Sequence, residues 1–395
     1  MFIVILGAVL GVMHVYVWKR LIKDTTMSGP TRWLLTAGLI VLGLLLVGTL
    51  ILPRATDATL PVWLEWAGWL WFALVAYLFL TLLVLEPVRL VLRRWIRRPR
   101  HDADPDVTTA DAPDPAPGVN RRVFIARSAA VAAGTASVGL VGFGAATALG
   151  PPDVLDVPVR LRRLDPAFAG FRIAVVSDVH LGPLAGRRHT ERIVRMINES
   201  EPDLVAIVGD LVDGTVAQLG PAAEPLRDLS SREGTFFVTG NHEYFVDDTE
   251  SWLQELERLG VQPLRNANTA IRRGGAAFDL VGVNDVVGAS RGDGPDFERA
   301  LAGTDPTRAR VLLAHQPVQV TRAAENGVDL QLSGHTHGGQ MWPFHYAVRA
   351  VQPSLAGLST VDDTQLYVSR GAGFWGPPVR IGAPPDISIL SLEAS

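Results

Sequence analysis

Three long apolar stretches open the chain, at 2–18, 33–52 and 62–85, and a fourth, weaker and rich in Ala and Gly, runs from 129 to 148. The second and third have the roughly 20 apolar residues that a bilayer crossing needs, and the first is at the short limit. Trp63, Trp66, Trp69 and Trp71 crowd the start of the third stretch, as interfacial aromatic belts do, and Glu65 lies close enough to that end to reach water. From about 157 the texture changes to short apolar runs alternating with amphipathic ones. The pattern predicts strands over 171–177, 204–208, 236–239, 278–283, 309–314, 328–333, 365–369 and 386–392, with helices over 190–200 and 251–259. Strands alternating with helices, then strands in quick succession, predict an α/β layered domain. The chain thus divides into three transmembrane helices (1–99), a disordered Asp/Pro/Ala linker (100–120), a fourth helix or export signal (121–150) and a water-soluble domain (151–395).

Charge gives this layout a direction. Residues 1–130 hold 14 Lys and Arg against 9 Asp and Glu, a net of +5, and the remainder has a net of −9. A purely soluble enzyme and a transporter filling the whole chain are excluded, and the acidic back half argues against nucleic acid as a partner. Lys19, Arg20, Lys23 and Arg32 lie between the first two stretches. Arg89, Arg93, Arg94, Arg97, Arg98, Arg100, Arg121, Arg122 and Arg127 lie between the third and fourth, and Arg54 stands alone in the remaining loop. By the positive-inside rule both basic loops are cytoplasmic, so four crossings place residues 150–395 outside a bacterial cytoplasmic membrane. Arg121-Arg122-Val123-Phe124, followed by a mildly apolar segment, resembles a twin-arginine export signal, although Asn120 replaces the usual Ser or Thr and no Lys follows. An ordinary basic anchor is the alternative. Ala146-Thr147-Ala148 has the small-x-small pattern of a cleavage site.

The chemistry lies where apolar runs end. Asp178-Val179-His180 follows the first predicted strand of the soluble part, Gly209-Asp210 the second, and Gly240-Asn241-His242-Glu243 the third. His315 ends the run 311–314, and Gly334-His335-Thr336-His337 ends the run 330–333. In an open α/β sheet, ligands bind at the carboxyl ends of strands. Five strand ends would therefore deliver Asp178, His180, Asp210, Asn241, His315, His335 and His337 to one edge, with His242 beside them. Without cysteine, disulfides, iron–sulfur clusters and thiol nucleophiles are excluded. Oxygen and imidazole donors suit Mn, Fe or Zn. Seven donors exceed one four-coordinate ion and suit two divalent ions sharing a carboxylate. Asp213 and Glu243 are read as supports rather than ligands. Arg187 and Arg188 are candidates for a substrate phosphate, with a solvated loop as the equal alternative. Trp342, Phe344, Phe374 and Trp375 are candidates for an apolar rim facing lipid, with plain packing as the alternative.

In this order the motifs D-x-H, G-D-x-x-D, G-N-H-E, a lone His and G-H-T-H resemble the calcineurin-like metallophosphoesterases, over about 170–393. The segments 177–183, 338–344 and 368–373 resemble the membrane-associated bacterial branch, whose relatives include UDP-2,3-diacylglucosamine pyrophosphatases. The resemblance implies a four-layer α/β/β/α sandwich preceded by an N-terminal helical transmembrane region. It implies one metal on Asp178, His180 and His337, another on Asn241, His315 and His335, and Asp210 bridging both. His242 would not ligate. It would stabilise transition-state oxygens or protonate the leaving group while a metal-bridged hydroxide attacks phosphorus. The expected substrate contains phosphate, as a phosphodiester or pyrophosphate of a lipid or cell-envelope precursor. A tethered nucleotide phosphodiesterase and a non-catalytic metal-containing receptor or assembly protein are the alternatives, and the oligomeric state stays open.

Overall fold

A computed structural model of the protein describes residues 2–55, 60–96 and 121–394; the linker expected at 100–120, Arg97, Arg98 and Arg100 lie outside the described residues. The chain forms two compact units, 1–143 and 144–395. The first contains α1 (Phe2–Val17), α2 (Pro30–Ala55), α3 (Val62–Ile96) and most of α4 (Arg121–Leu149), with a π-helical turn over Trp18–Lys23. α1 continued by the π-helical turn (Ile5–Lys23), α2, α3 and α4 are each long and apolar enough to cross a membrane. Leu10, Val17, Leu46, Trp71, Val75, Leu78 and Leu82 form the unit's core, and Ala133 of α4 joins them. Many of the remaining apolar side chains, among them Trp33, Leu44 and Val84, face outward, the inverse of a water-soluble bundle. Glu65 departs from expectation: it is buried in the first turn of α3 rather than reaching water. Ionic contacts join the two basic segments. Arg20 pairs with Asp24 (3.0 Å) and Glu86 (2.8 Å), Arg89 reaches both carboxylates, and Arg122 approaches Asp24 (3.8 Å).

The second unit is a layered α/β structure. In chain order it contains β1 (Asp153–Leu161), β2 (Phe171–Val176), α5 (Arg187–Glu199), β3 (Leu204–Val208), α6 (Val216–Ala223) and β4 (Thr235–Val238). Then come α7 (Asn241–Phe245), α8 (Thr249–Arg258), β5 (Val261–Pro263), β6 (Ala267–Arg273), β7 (Ala276–Gly282), α9 (Phe297–Leu301) and β8 (Arg310–Leu313). The rest is α10 (Val320–Glu325), β9 (Leu330–Ser333), α11 (His345–Arg349), β10 (Gly357–Val361), β11 (Thr364–Val368) and β12 (Asp386–Ala394). Two six-stranded sheets result, ordered β1-β12-β2-β3-β4-β5 and β10-β11-β9-β8-β7-β6. Pairing is parallel except at β12–β2, β6–β7 and β10–β11.

The period of two along each strand builds the layers. Phe171, Ile173 and Val175 of β2 point into an inter-sheet core with Leu204, Val208, Phe278, Leu280, Val311, Leu313, Leu330 and Leu332. The intervening Ala174 and Val176 point the other way, onto α5, α6 and α8. Helix α5 answers with Thr190, Ile193, Val194 and Ile197 buried at positions i, i+3, i+4 and i+7. On the far side, Val281 and Leu312 meet Phe297 and Ala300 of α9 and Ala323 of α10. The order is therefore α/β/β/α, as the resemblance implied. Each fully buried Leu, Ile, Val or Phe contributes about 1.5–3 kcal/mol by leaving water. The inter-sheet layer thereby holds β2, β3 and β4 of one sheet and β8 and β9 of the other in a fixed relation.

Candidate metal centre

That relation positions the site. Strands β2, β3 and β4 are parallel neighbours, as are β8 and β9, and each ends one to three residues before a motif residue. Seven of the eight expected site residues fall in groups whose ligand atoms converge at this edge, and the eighth, Asn241, is buried beside His242 at the start of α7. Asp178, His180 and His337 place ligand atoms within 4.8 Å of one another, as do Asp210, His315 and His335. Asp210 also forms such a group with His180 and His242, so it is common to both sides of the cluster. The Nε2 atoms of His180 and His337 are 3.0 Å apart, and His337 Nε2 is 3.2 Å from Asp178 Oδ1.

The backbone bends sharply to do this. Asp178, His180, Asp210, His335 and His337 all have positive φ, between 49° and 70°, in the left-handed region that costs non-glycine residues on the order of 1–3 kcal/mol. Interlocking hydrogen bonds offset that strain. Asp178 N donates to Gly209 O, His180 N to Asp210 O, and His335 N to the Asp178 carboxylate. His242 N donates to Asp210 Oδ1 at 2.8 Å. Gly209 (φ 82°) and Gly240 pass so closely that a Cβ on Gly209 would lie 2.7 Å from Gly240 Cα and from His315 Nδ1. Only glycine permits that approach.

Two carboxylates expected as supports act as such. Glu243 is buried and accepts from four backbone N–H groups, those of Gly240 (2.6 Å), Leu211 (2.8 Å), Asp210 (3.1 Å) and Val212 (3.3 Å). One side chain thus ties the loop after β3 to the loop after β4. Burial and the neighbouring Asp210 push its pKa up to about 7 against the pull of those N–H groups. Asp213 Oδ1 lies 3.0 Å from His180 Nδ1 and 2.6 Å from His242 Nδ1. The carboxylate holds both rings with Nδ1–H toward itself and Nε2 toward the cluster. Burial opposes charge on His242, but Asp210 and Asp213 outweigh it and raise its pKa to about 9. Asp213→Asn is expected to weaken divalent-ion affinity by about 10–100-fold while leaving the fold intact. Titration of the full chain with Mn, read by calorimetry, checks this.

The cluster has the donors and the charge demand of a divalent-ion site. Asn241 Oδ1 and His315 Nε2 are buried without a hydrogen-bond partner, an expensive arrangement unless another group takes up those lone pairs. His315 Nδ1 donates to Val208 O at 2.7 Å, which leaves Nε2 as the open nitrogen, 3.2 Å from Asp210 Oδ2. Burial disfavours charge on His315, yet Asp210 and Asp178 hold its pKa well above the usual range. The carboxylates therefore draw positive charge inward, and divalent cations would supply it. The residues fit the group that the resemblance implies.

Arg380 was not singled out from the sequence. It is fully buried, and its Nε and Nη atoms donate to the carbonyls of His337, Arg370, Gly371, Gly373 and Ala383. Nη2 also lies 3.1 Å from His337 Nδ1, so the ring's position depends on the guanidinium. Its distance of 43 residues from His337 hid it, and no pattern flags a lone Arg between prolines and glycines. Arg187 and Arg188 open α5 instead of lying in a loop: Arg187 bonds to Glu191 (2.8 Å) and Pro221 O (3.1 Å), and Arg188 is exposed on the same helix. Among the rim candidates, Trp342, Phe344 and Trp375 are exposed, whereas Phe374 is buried against Ala148 and Ala185.

This fold and this edge define a metallophosphoesterase domain. The calcineurin-like phosphoesterase family model matches residues 171–339, and the chain belongs to that family. An uncharacterized metallophosphoesterase of Campylobacter jejuni is 32% identical over 394 residues, covering 99% of this chain and 97% of the relative. A Bos taurus transmembrane protein with metallophosphoesterase domain is 42% identical over 264 residues, 64% of this chain and 60% of that protein. An uncharacterized metallophosphoesterase of Helicobacter pylori is 39% identical over 247 residues, 62% of this chain and 65% of the relative. The chain thus spans 60% of the length of the bovine relative.

Proposed function

We propose that this chain is a membrane-anchored, two-metal phosphohydrolase acting outside the cytoplasm on a phosphodiester or pyrophosphate of a lipid or envelope precursor. The observation that carries the reading is the convergence of Asp178, His180, Asp210, His315, His335 and His337 at one sheet edge, with the buried His315 Nε2 and Asn241 Oδ1 left without partners. In this reading Asp178, His180 and His337 hold one ion, Asn241, His315 and His335 the other, and Asp210 serves both. The bound ions would supply Lewis acidity for activating water and taking up phosphoryl charge. The chain's own residues do the rest. Asp213 orients His180 and His242, Glu243 fixes the backbone under Asp210, and Arg380 sets the height of His337. His242, protonated at neutral pH, donates its Nε2 proton to the departing oxygen. An ion on Asp210 weakens that carboxylate's support of the His242 charge, so turnover should fall on an alkaline limb below about 9. Membrane anchoring draws support from the four long apolar helices and from the name of the bovine relative. The Arg20, Glu86, Arg89 and Arg122 contacts, which gather both basic segments, support placing those segments on one side.

The test uses the full chain in detergent with bis-p-nitrophenyl phosphate and added Mn. His242→Ala should lower kcat by roughly 10²–10⁴-fold with metal content unchanged. Parental turnover in that variant would remove His242 from the mechanism. No turnover by the parent chain under any divalent ion would favour a non-catalytic, metal-containing receptor.

A further inference from the structure

We propose that the face of the phosphoesterase unit bearing Trp342, Phe344, Tyr346, Val351 and Trp375 seats in the headgroup layer of a lipid bilayer, so that the metal centre opens at the membrane surface. This rests on the membrane-anchored reading above, and three independent features of residues 144–395 carry it.

The first is exposure. Trp342 (51%), Phe344 (60%), Tyr346 (63%) and Val351 (70%) stand out on and around α11, with Trp375 (40%) near them in the site's border. Aromatic rings of this kind, several with polar tips, are favoured at a membrane–water interface and are a liability in plain water. The second is charge. Between 330 and 385 the only carboxylates are Asp362 and Asp363, while the basic residues are Arg349, Arg370 and Arg380. Asp363 is at the turn between β10 and β11, facing Arg162 (3.3 Å). Arg380 is buried and Arg370 pairs with Asp386 (2.7 Å), so the exposed Arg349 is what this sparsely charged stretch would present to an anionic bilayer.

The third is where the apolar helix joins the unit. Gly144 O, five residues from the end of α4, accepts from Arg380 N at 2.9 Å. A Cβ on Gly144 would lie 2.6 Å from Val379 and 2.7 Å from Ile381, so that helix backbone rests directly on this segment. Ile381 in turn accepts from Trp342 N (2.9 Å) and donates to Gln340 O (2.8 Å). The last turn of α4 is locked as well, with Ala148 buried against Ala185 and Phe374 and Leu149 O bonded to Arg192. The end of a helix long enough to cross a membrane therefore sits at the base of the aromatic face. The same face borders the metal centre. The Trp375 ring is 6.1 Å and the exposed Phe245 ring 5.1 Å from the His242 ring.

The chain lacks cysteine, so a single introduced thiol labels one position. Phe344→Cys and Tyr346→Cys, each in the full chain, would carry a nitroxide in nanodiscs of phosphatidylethanolamine and phosphatidylglycerol. Thr307→Cys, exposed ahead of β8 at the strand ends opposite the site, is the aqueous reference. Electron paramagnetic resonance compares collisions with oxygen, which partitions into lipid, and with a water-soluble nickel chelate. Labels at 344 and 346 should favour oxygen, at a depth of roughly 5–10 Å, while the label at 307 favours the chelate. Equal chelate access at all three positions would overturn the proposal. So would dipolar broadening between labels without a rise in oxygen access, which would assign the face to a second copy of the chain. Unchanged metal content certifies each variant's fold. Label depth is read without turnover, so a chain that docks but hydrolyses nothing would sink the enzymatic reading alone.

Discussion

Asp210→Asn is expected to abolish hydrolysis, lowering kcat by about 10³-fold or more, and to lower the divalent-ion content of the chain by at least one. The reason is position. Asp210 Oδ2 is 3.2 Å from His315 Nε2 and 3.9 Å from His180 Nε2, so it faces both halves of the cluster. Asn keeps the shape and can still accept the His242 N–H through one oxygen, but it removes the negative charge and the second oxygen that a shared ligand needs. The buried imidazoles would then lose the charge that balances them. Metal content by mass spectrometry and bis-p-nitrophenyl phosphate turnover, measured on one preparation of the full chain, check the result. Two ions per chain with parental turnover would retire the assignment of Asp210 as the shared ligand.

Arg380→Met is expected to be the most damaging substitution away from the ligands themselves. Methionine fills much of the same volume, yet it leaves the carbonyls of His337, Arg370, Gly371, Gly373 and Ala383 without their shared donor. Stranding buried acceptors costs about 1–3 kcal/mol each, and the loops can recover only part of that by admitting water. Burial lowers the arginine's own pKa to about 10, which leaves it charged at neutral pH, near Asp178 and Asp386. A loss of roughly 3–5 kcal/mol is expected, together with weakened ion binding on the His337 side. Arg380→Lys should recover part of the stability without restoring the fork of contacts. Thermal unfolding with and without Mn separates the two effects: a loss confined to the metal-loaded state would mean that Arg380 acts on His337 alone.

The strands that the sequence made legible are the central ones. β2, β3, β8 and β9 are buried on both faces, so they read as near-continuous apolar runs such as Leu204 to Val208, whose expected and observed limits coincide. The four unforeseen strands, β1, β5, β6 and β10, are the four edges of the two sheets. Their sequences are half polar because one face meets solvent, as in Ala267–Arg273 and Gly357–Val361, and so they resemble loops. The site residues were legible because each falls within four residues of the end of a buried run. Arg380 and the aromatic positions Tyr346 and Phe245 were not, since their roles depend on chain segments brought together only by the fold. Glu65 failed for a related reason: its distance from the helix end was right, but the neighbours that cover it were not readable.

The left-handed backbone at Asp178, His180, Asp210, His335 and His337 has an evolutionary consequence. Of the nine non-glycine residues with positive φ among those described, five are at this one edge. Asp, Asn and His tolerate that conformation best among residues with side chains, and they are also the donors found there. The geometry therefore restricts the alphabet from which ligands can be drawn as much as the chemistry does. Drift toward bulkier donors is resisted by the turn itself. A lineage built on these turns can exchange one borderline divalent ion for another as supply changes, because oxygen and imidazole accept several. A wholesale change to a different class of metal chemistry would require new turns before new ligands.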